Sequence, residues 1–225
     1  SSLIYSSFIQ LFCKNRNDDT LYQLCKDIQH QFKIQLANEL KIKYEEEFPK
    51  GTPLVVACEK GRFEDVKLLI TGYNDVNGSN GNNNNNMTLK EYVNQVGTNS
   101  RGLGYDRTPL IAAALYEHFQ IVKYLIGQGE ADPNIANSLG YNALHLAAWN
   151  NKKKTEVIEF LLTNMSLTSI NKKAGSEYTP LDCAYDFNKS PIKQKIIDLI
   201  RSKGGKANCH DADGSLVGKG NGDLN

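Results

Sequence analysis

The chain has little of what a membrane protein, a nucleic-acid binder or a disulfide scaffold needs. It contains no unbroken apolar run of the about 18 residues that a spanning helix requires. Charge of one sign is missing too: 26 Lys and Arg stand against 25 Asp and Glu, for a net charge of +1. Such a balance gives no drive toward polyanions or anionic lipid, so neither nucleic acid nor membrane is an expected partner. The one dense basic cluster, Lys152-Lys153-Lys154, reads as a solvated loop. Five cysteines (Cys13, Cys25, Cys58, Cys183 and Cys209) are odd in number, scattered, and free of any Cys-x-x-Cys spacing. Cys209-His210 lacks the further ligands of a zinc site, so no metal is expected. Thiols at Cys58 and Cys183 would pack as small hydrophobes, and this usage suits a reducing, cytoplasmic compartment. No secretory signal is read in the opening residues. The start on Ser1-Ser2, without an initiator methionine, is expected of a fragment or a processed product.

Catalytic constellations are also scarce. Only four histidines occur, and none has a serine or cysteine at a spacing that suggests an activated nucleophile. The Asp211-Ala-Asp213-Gly-Ser stretch lacks the glycine at position six and the closing glutamate of a calcium loop. Gly102-Leu-Gly104 and the glycines from Gly218 to Gly222 lack the strand-to-helix setting of a phosphate loop. No catalytic, cofactor-binding or metal-binding residue is assigned, and no enzyme is expected.

What the chain does have is a phrase written four times. Gly51-Thr-Pro-Leu-Val-Val-Ala-Cys58 is followed by Arg107-Thr-Pro-Leu-Ile-Ala-Ala-Ala114, Tyr141-Asn-Ala-Leu-His-Leu-Ala-Ala148 and Tyr178-Thr-Pro-Leu-Asp-Cys-Ala-Tyr185. A second apolar run follows each: 66–70, 121–126, 157–162 and 196–200. Thr52, Thr108 and Thr179 are placed to cap a helix, with proline at a position that needs no N–H. The small residues after them predict a slim inner helix, and the second run predicts a longer outer one. Gly72, Gly129 and Gly204 are read as left-handed helix ends. One such unit cannot bury its own apolar face, so neighbouring units must stack.

These units resemble ankyrin repeats, whose pattern joins Gly-x-Thr-Pro-Leu-His-x-Ala-Ala to a Gly-His-Leu step and a Gly-Ala-Asp-x-Asn ending. The second unit matches through Thr108, Pro109, Leu110, Ala113, Ala114, His118, Val122, Leu125, Gly129, Ala131, Asp132 and Asn134. The first keeps Gly61, Val66, Leu68, Leu69, Asp75 and Asn77. The third keeps Leu144, His145, Ala147 and Ala148 but replaces Thr-Pro with Asn142-Ala143. The fourth lacks the Gly-His step and reads as a C-terminal cap. The resemblance implies an all-α ankyrin-repeat solenoid over residues 50–210, with repeats at about 50–78, 106–139, 140–176 and 177–210. It also implies that His118 and His145 are structural. Residues 1–49 read as helices at Ile9–Lys14, Leu21–Phe32 and Ile34–Phe48, forming an N-terminal helical cap or the remnant of an upstream helical domain. Residues 211–225 are expected to be a flexible tail.

The threonine-position residues stand at 52, 108, 142 and 179. Repeats of this kind recur about every 33 residues, so the first interval carries an insertion of roughly 23. It falls within 78–105 and includes the low-complexity run Asn82–Asn86. Thr88-Leu-Lys-Glu91 predicts a capping box opening a short helix to about Val96. The insertion reads either as a tolerated surface loop, whose shortening would alter melting little, or as a specificity element beside the binding face.

The resemblance further implies that a partner meets the concave face built from inner helices and loop tips. By position, that face gathers Tyr116, Trp149 and Tyr185 into a ladder flanked by Tyr141 and Tyr178, with Arg107 at its edge. Aromatic residues and arginine dominate interface hot spots. The competing reading packs these rings between repeats. The expected function is therefore a scaffold or adaptor that binds an unidentified protein. The alternatives are the targeting or regulatory segment of a larger enzyme, or a structural protein with weak self-association through the aromatic stripe.

Overall fold

The computed structural model describes residues 19–78, 87–100, 106–150, 154–175, 177–211 and 214–217. The expected helix at Ile9–Lys14, the Asn82–Asn86 run and the last eight residues lie outside the described residues. Among those described, all regular elements are helices, supplemented by three isolated β-bridges. An inner row consists of α2 (Pro53–Glu59), α5 (Pro109–Leu115), α7 (Ala143–Asn150) and α10 (Pro180–Asp186). An outer row consists of α1 (Asp19–Glu47), α3 (Phe63–Gly78), α6 (Phe119–Gly127), α8 (Glu156–Asn164) and α11 (Lys193–Ser202). Two short helices, α4 (Leu89–Asn94) and α9 (Leu167–Ile170), complete the set. Each row packs in chain order, and each inner helix packs on the outer helix that follows it.

Side-chain size explains the two rows. Ala112, Ala113 and Ala114 are wholly buried, as are Ala143 and Ala148. Small residues let inner helices approach closely, and packing at this density leaves no room for larger ones. The outer helices instead bury one stripe: Ile121, Val122 and Leu125 on α6, Val157, Ile158 and Leu161 on α8, and Ile196, Ile197 and Ile200 on α11. Each such side chain contributes about 1.5–3 kcal/mol over its exposed state, a benefit available only once the neighbouring unit is in place.

The caps follow the sequence with one instructive exception. Thr108 Oγ1 accepts the Ile111 N–H and Thr179 Oγ1 accepts that of Asp182, both at the expected helix starts. Asn142 takes over the role in the third unit, its Oδ1 accepting the His145 N–H at 3.2 Å. Thr52 makes no cap; its hydroxyl accepts the Thr98 N–H at 3.0 Å instead. Of the three glycines read as helix ends, Gly204 does adopt the left-handed conformation (φ +81°). Gly72 lies inside α3, where a Cβ would come within 2.2 Å of the Ala37 Cβ on α1. There glycine serves close helix–helix approach and not chain reversal.

The N-terminal segment is one continuous helix over 19–47, not two, and it packs chiefly on the outer helix α3. Tyr44 is buried there, donating its hydroxyl to Asp65 Oδ2 at 2.8 Å.

Residues 87–100 are built into the stack. The capping box forms, with Glu91 N–H donating to Thr88 Oγ1 and Thr88 N–H to Glu91 Oε2. The helix it opens stops at Asn94 and wholly buries Val93. Asn94 Oδ1 then accepts the Asp132 N–H at 2.7 Å. Asn134 Oδ1 accepts the Ser166 N–H, and Asn171 Oδ1 accepts that of Lys206. One asparagine per unit thus ties each outer loop to the next. In the first unit this is Asn94, since Asn77 lies within α3.

Bridges Gly97–Arg107 and Ala136–Asn142 lie between units, and His210–Leu216 follows the fourth. The last repeats the bonding of the one before it. Asp211 N–H donates to the Ser215 carbonyl as Asn137 N–H does to that of Tyr141, and Gly214 and Gly140 share a positive φ. Among the described residues, His210, Asp211 and 214–216 therefore take the place of the finger that would open a fifth unit, here the fifth finger.

Candidate functional site

The residues expected on the binding face fall into two groups. Trp149, at the end of α7, keeps 39% of its surface exposed, and Tyr116, just past α5, keeps 42%. The Trp149 ring lies 5.0 Å from that of Phe187, which caps α10 and is itself 39% exposed. Phe187 in turn lies 5.5 Å from Tyr178, the residue before the Thr179 cap of α10. Trp149, Phe187 and Tyr178 form one continuous aromatic surface across the third and fourth units. Phe187 was missed in the sequence because the ladder position of the fourth unit falls on Tyr185, two residues earlier. The helix continues through Asp186, and the chain leaves it at Phe187.

The remaining expected residues are placed differently. Tyr185 stacks on His210 at 4.8 Å, and Gly214 of the fifth finger lies so close that a Cβ there would come within 2.7 Å of the ring. Tyr141 meets His145 edge-on at 5.4 Å. Arg107 has its Nε and Nη1 buried without a hydrogen-bond partner.

The histidines explain how the face is held. His118 Nε2 donates to the Glu59 carbonyl at 3.1 Å and fills the space beside Gly61. His145 is fully buried, with Nε2 donating to the Tyr178 carbonyl at 3.2 Å. Burial pushes its pKa down to about 4, so the ring is neutral at ordinary pH. Both therefore knit one unit to the next.

His210 is the feature that sequence reading overlooked. Its Nδ1 lies 2.8 Å from Asp182 Oδ1 and its Nε2 lies 2.8 Å from Asp186 Oδ1, with the ring buried between them. Asp182 is wholly buried and also accepts N–H bonds from Thr179, Asn208 and Cys209. Burial alone would raise its carboxyl; His210 and these donors outweigh that and hold it below the ordinary value. The nearby Asp186 carboxylate is the main cause that lifts the Tyr178 phenol to about 12. No sequence pattern pairs residues 28 apart across a turn; only the fifth finger brings them together.

Nothing among the described residues forms a cluster of three or more His, Cys, Asp or Glu able to hold a metal. No described helix is long and apolar enough to cross a membrane. Cys58, Cys183 and Cys209 carry free thiols. Burial raises the Cys183 thiol to about 12 and that of Cys58 further, so neither is poised as a nucleophile.

A family model described as ankyrin repeats (3 copies) matches residues 79–174 and 110–211. No curated protein matches the chain.

Proposed function

The chain belongs to the ankyrin-repeat family, and from that premise we propose that it is a scaffold or adaptor holding a partner protein. Ankyrin repeats are generally protein-interaction modules and typically non-catalytic. The single observation that carries the reading here is the continuous aromatic surface in which exposed Trp149 and Phe187 pack beside half-buried Tyr178. Large aromatic side chains left half-exposed and mutually packed lose little conformational entropy on binding, which is why they serve as anchors. Tyr116 extends the surface toward the second unit. Tyr185 stacks on His210 of the fifth finger.

The test is affinity capture from a native lysate, comparing the wild type with a Trp149→Ala/Phe187→Ala variant whose melting is unchanged. Loss of a partner from the variant alone supports the reading. A partner retained by both variant and wild type rejects this surface as the contact. Sedimentation across a range of concentrations checks the self-associating alternative, which requires a dimer that the same two substitutions dissolve.

A further inference from the structure

Arg107 is a cation that the described residues leave without a counter-group. Its Nε and Nη1 are buried and have no hydrogen-bond acceptor, and among the described residues no ion pair holds it. Its chain neighbour Asp106 is committed elsewhere, accepting both the N–H and the hydroxyl of Ser138. Glu59, at the end of α2, likewise accepts the N–H and the hydroxyl of Ser100. A guanidinium stays charged and can only donate. Stripping its donors of water without supplying an acceptor costs free energy, so a carboxylate that reaches it is bound to advantage.

Arg107 stands in the row that bears the aromatic surface. It is the residue before the Thr108 cap, as Tyr141 precedes the Asn142 cap and Tyr178 the Thr179 cap. Direct contacts join this row. Asn137 Nδ2 donates to the Asp106 carbonyl at 3.1 Å, and Asn137 Oδ1 accepts the Tyr141 N–H at 2.9 Å. Tyr141 meets His145, whose Nε2 donates to the Tyr178 carbonyl. The helix ends are joined as well. Asn150 Nδ2 donates to the Leu115 carbonyl at 2.9 Å, which sets Trp149 beside the end of α5 that Tyr116 closes. In the fourth unit the residue before the cap and the residue closing the helix are Tyr178 and Phe187, 5.5 Å apart. Arg107 and Tyr116 hold those same two places in the second unit.

We propose that Arg107 is a specificity-determining residue of this face, receiving a carboxylate of the partner. The partner segment then presents an Asp or Glu at a set distance from the apolar side chain that meets Trp149 and Phe187. This rests on the reading of the aromatic surface as a partner site. A carboxylate suits the position better than a phosphoryl dianion, because a lone guanidinium balances a single charge. The planar fork matches the two oxygens of a carboxylate, and partial desolvation strengthens their attraction. Arg107 is itself partly exposed, so its side chain can turn to an arriving acid without breaking a bond.

The experiment selects random peptides displayed on phage against the immobilised full chain, then measures the affinity of one synthetic selected peptide. The selected peptides should share an acidic residue at a fixed spacing from an aromatic or aliphatic one. Arg107→Gln should weaken binding about tenfold or more. Replacing the peptide's acid by its amide should weaken wild-type binding equally and leave binding to Arg107→Gln unchanged. Arg107→Glu should prefer a peptide with lysine at that place, a reversal that a merely structural arginine would not produce. Arg107→Met removes an uncompensated charge and should melt no lower than the wild type. Selected peptides without a shared acid, an affinity that Arg107→Gln leaves unchanged, or a fall in the melting temperature of Arg107→Met would each overturn the proposal. Binding that needs Trp149 and Phe187 yet ignores Arg107 keeps the partner face and removes only its acid specificity. Binding indifferent to Trp149 and Phe187, or a selection that enriches nothing over the bare support, removes the face and this proposal with it.

Discussion

The phenol rings of Tyr73 on α3 and Tyr92 on α4 stack with centroids 4.0 Å apart and planes 1° from parallel. Tyr73 also donates its hydroxyl to the Met87 carbonyl at 2.6 Å. Together with wholly buried Val93, this contact makes the inserted helix part of the hydrophobic core. Aromatic pairing of this kind adds about 0.5–1.5 kcal/mol to the area buried.

Two halves of the insertion should therefore respond oppositely to mutation. Tyr92→Ala is expected to cost about 2–3 kcal/mol, since it removes both the stack and the packing over the core. Deleting Asn82–Asn86 should change stability by well under about 1 kcal/mol, because loop-closure entropy depends only weakly on length. Urea unfolding of the two variants checks this directly. Equal, small losses would show that α4 contributes nothing to the stack, and the expectation of a freely removable insertion would then stand.

The repeating parts of the molecule were legible because they obey local rules. Thr108 and Thr179 cap helices where a threonine before proline should, and the Thr88–Glu91 box closes as its spacing requires. Wherever a residue answers to a neighbour distant in sequence, the local rule fails. Thr52 gives up its cap to Thr98, and Gly72 is set by Ala37 across a helix interface. In the first unit Asn94 and not Asn77 provides the inter-repeat bond, because α3 runs on through Asn77. His210 and Phe187 were overlooked for the same reason. One depends on a finger folding back over α10, and the other on where α10 releases the chain.

Two glycines on outer helices offer a matched test of the packing. Glycine to alanine inside a helix ordinarily stabilises by about 0.5–1 kcal/mol. At Gly127, near the end of α6, an added Cβ meets nothing within 4 Å, so Gly127→Ala should raise the melting temperature. At Gly72 the same change drives a methyl to 2.2 Å from the Ala37 Cβ, forcing α1 away from α3. Gly72→Ala should therefore destabilise by about 1–3 kcal/mol. Thermal unfolding of both variants decides the matter, and a gain at Gly72 would mean that α1 does not dock as described.

His145 gives the stack a definite acid sensitivity. Burial holds its pKa at about 4, against an ordinary value near 6.5 in an unfolded chain. Between those values the unfolded state binds a proton that the folded state refuses, so stability falls as pH falls. The contribution is fully present above about pH 6.5 and is exhausted near pH 4, with a total loss of about 3 kcal/mol. Asp182, held below its ordinary range, begins to cost stability only in more acidic solution, so the two windows adjoin without coinciding. His145→Gln should lower stability at pH 7.5, because it disturbs the bond to the Tyr178 carbonyl, yet flatten the slope between pH 6.5 and 4. Urea midpoints measured at several pH values in that window provide the check. If the variant keeps the wild-type slope, the acid limb belongs to another group, and His145 is not the residue that ties stability of the third and fourth units to pH.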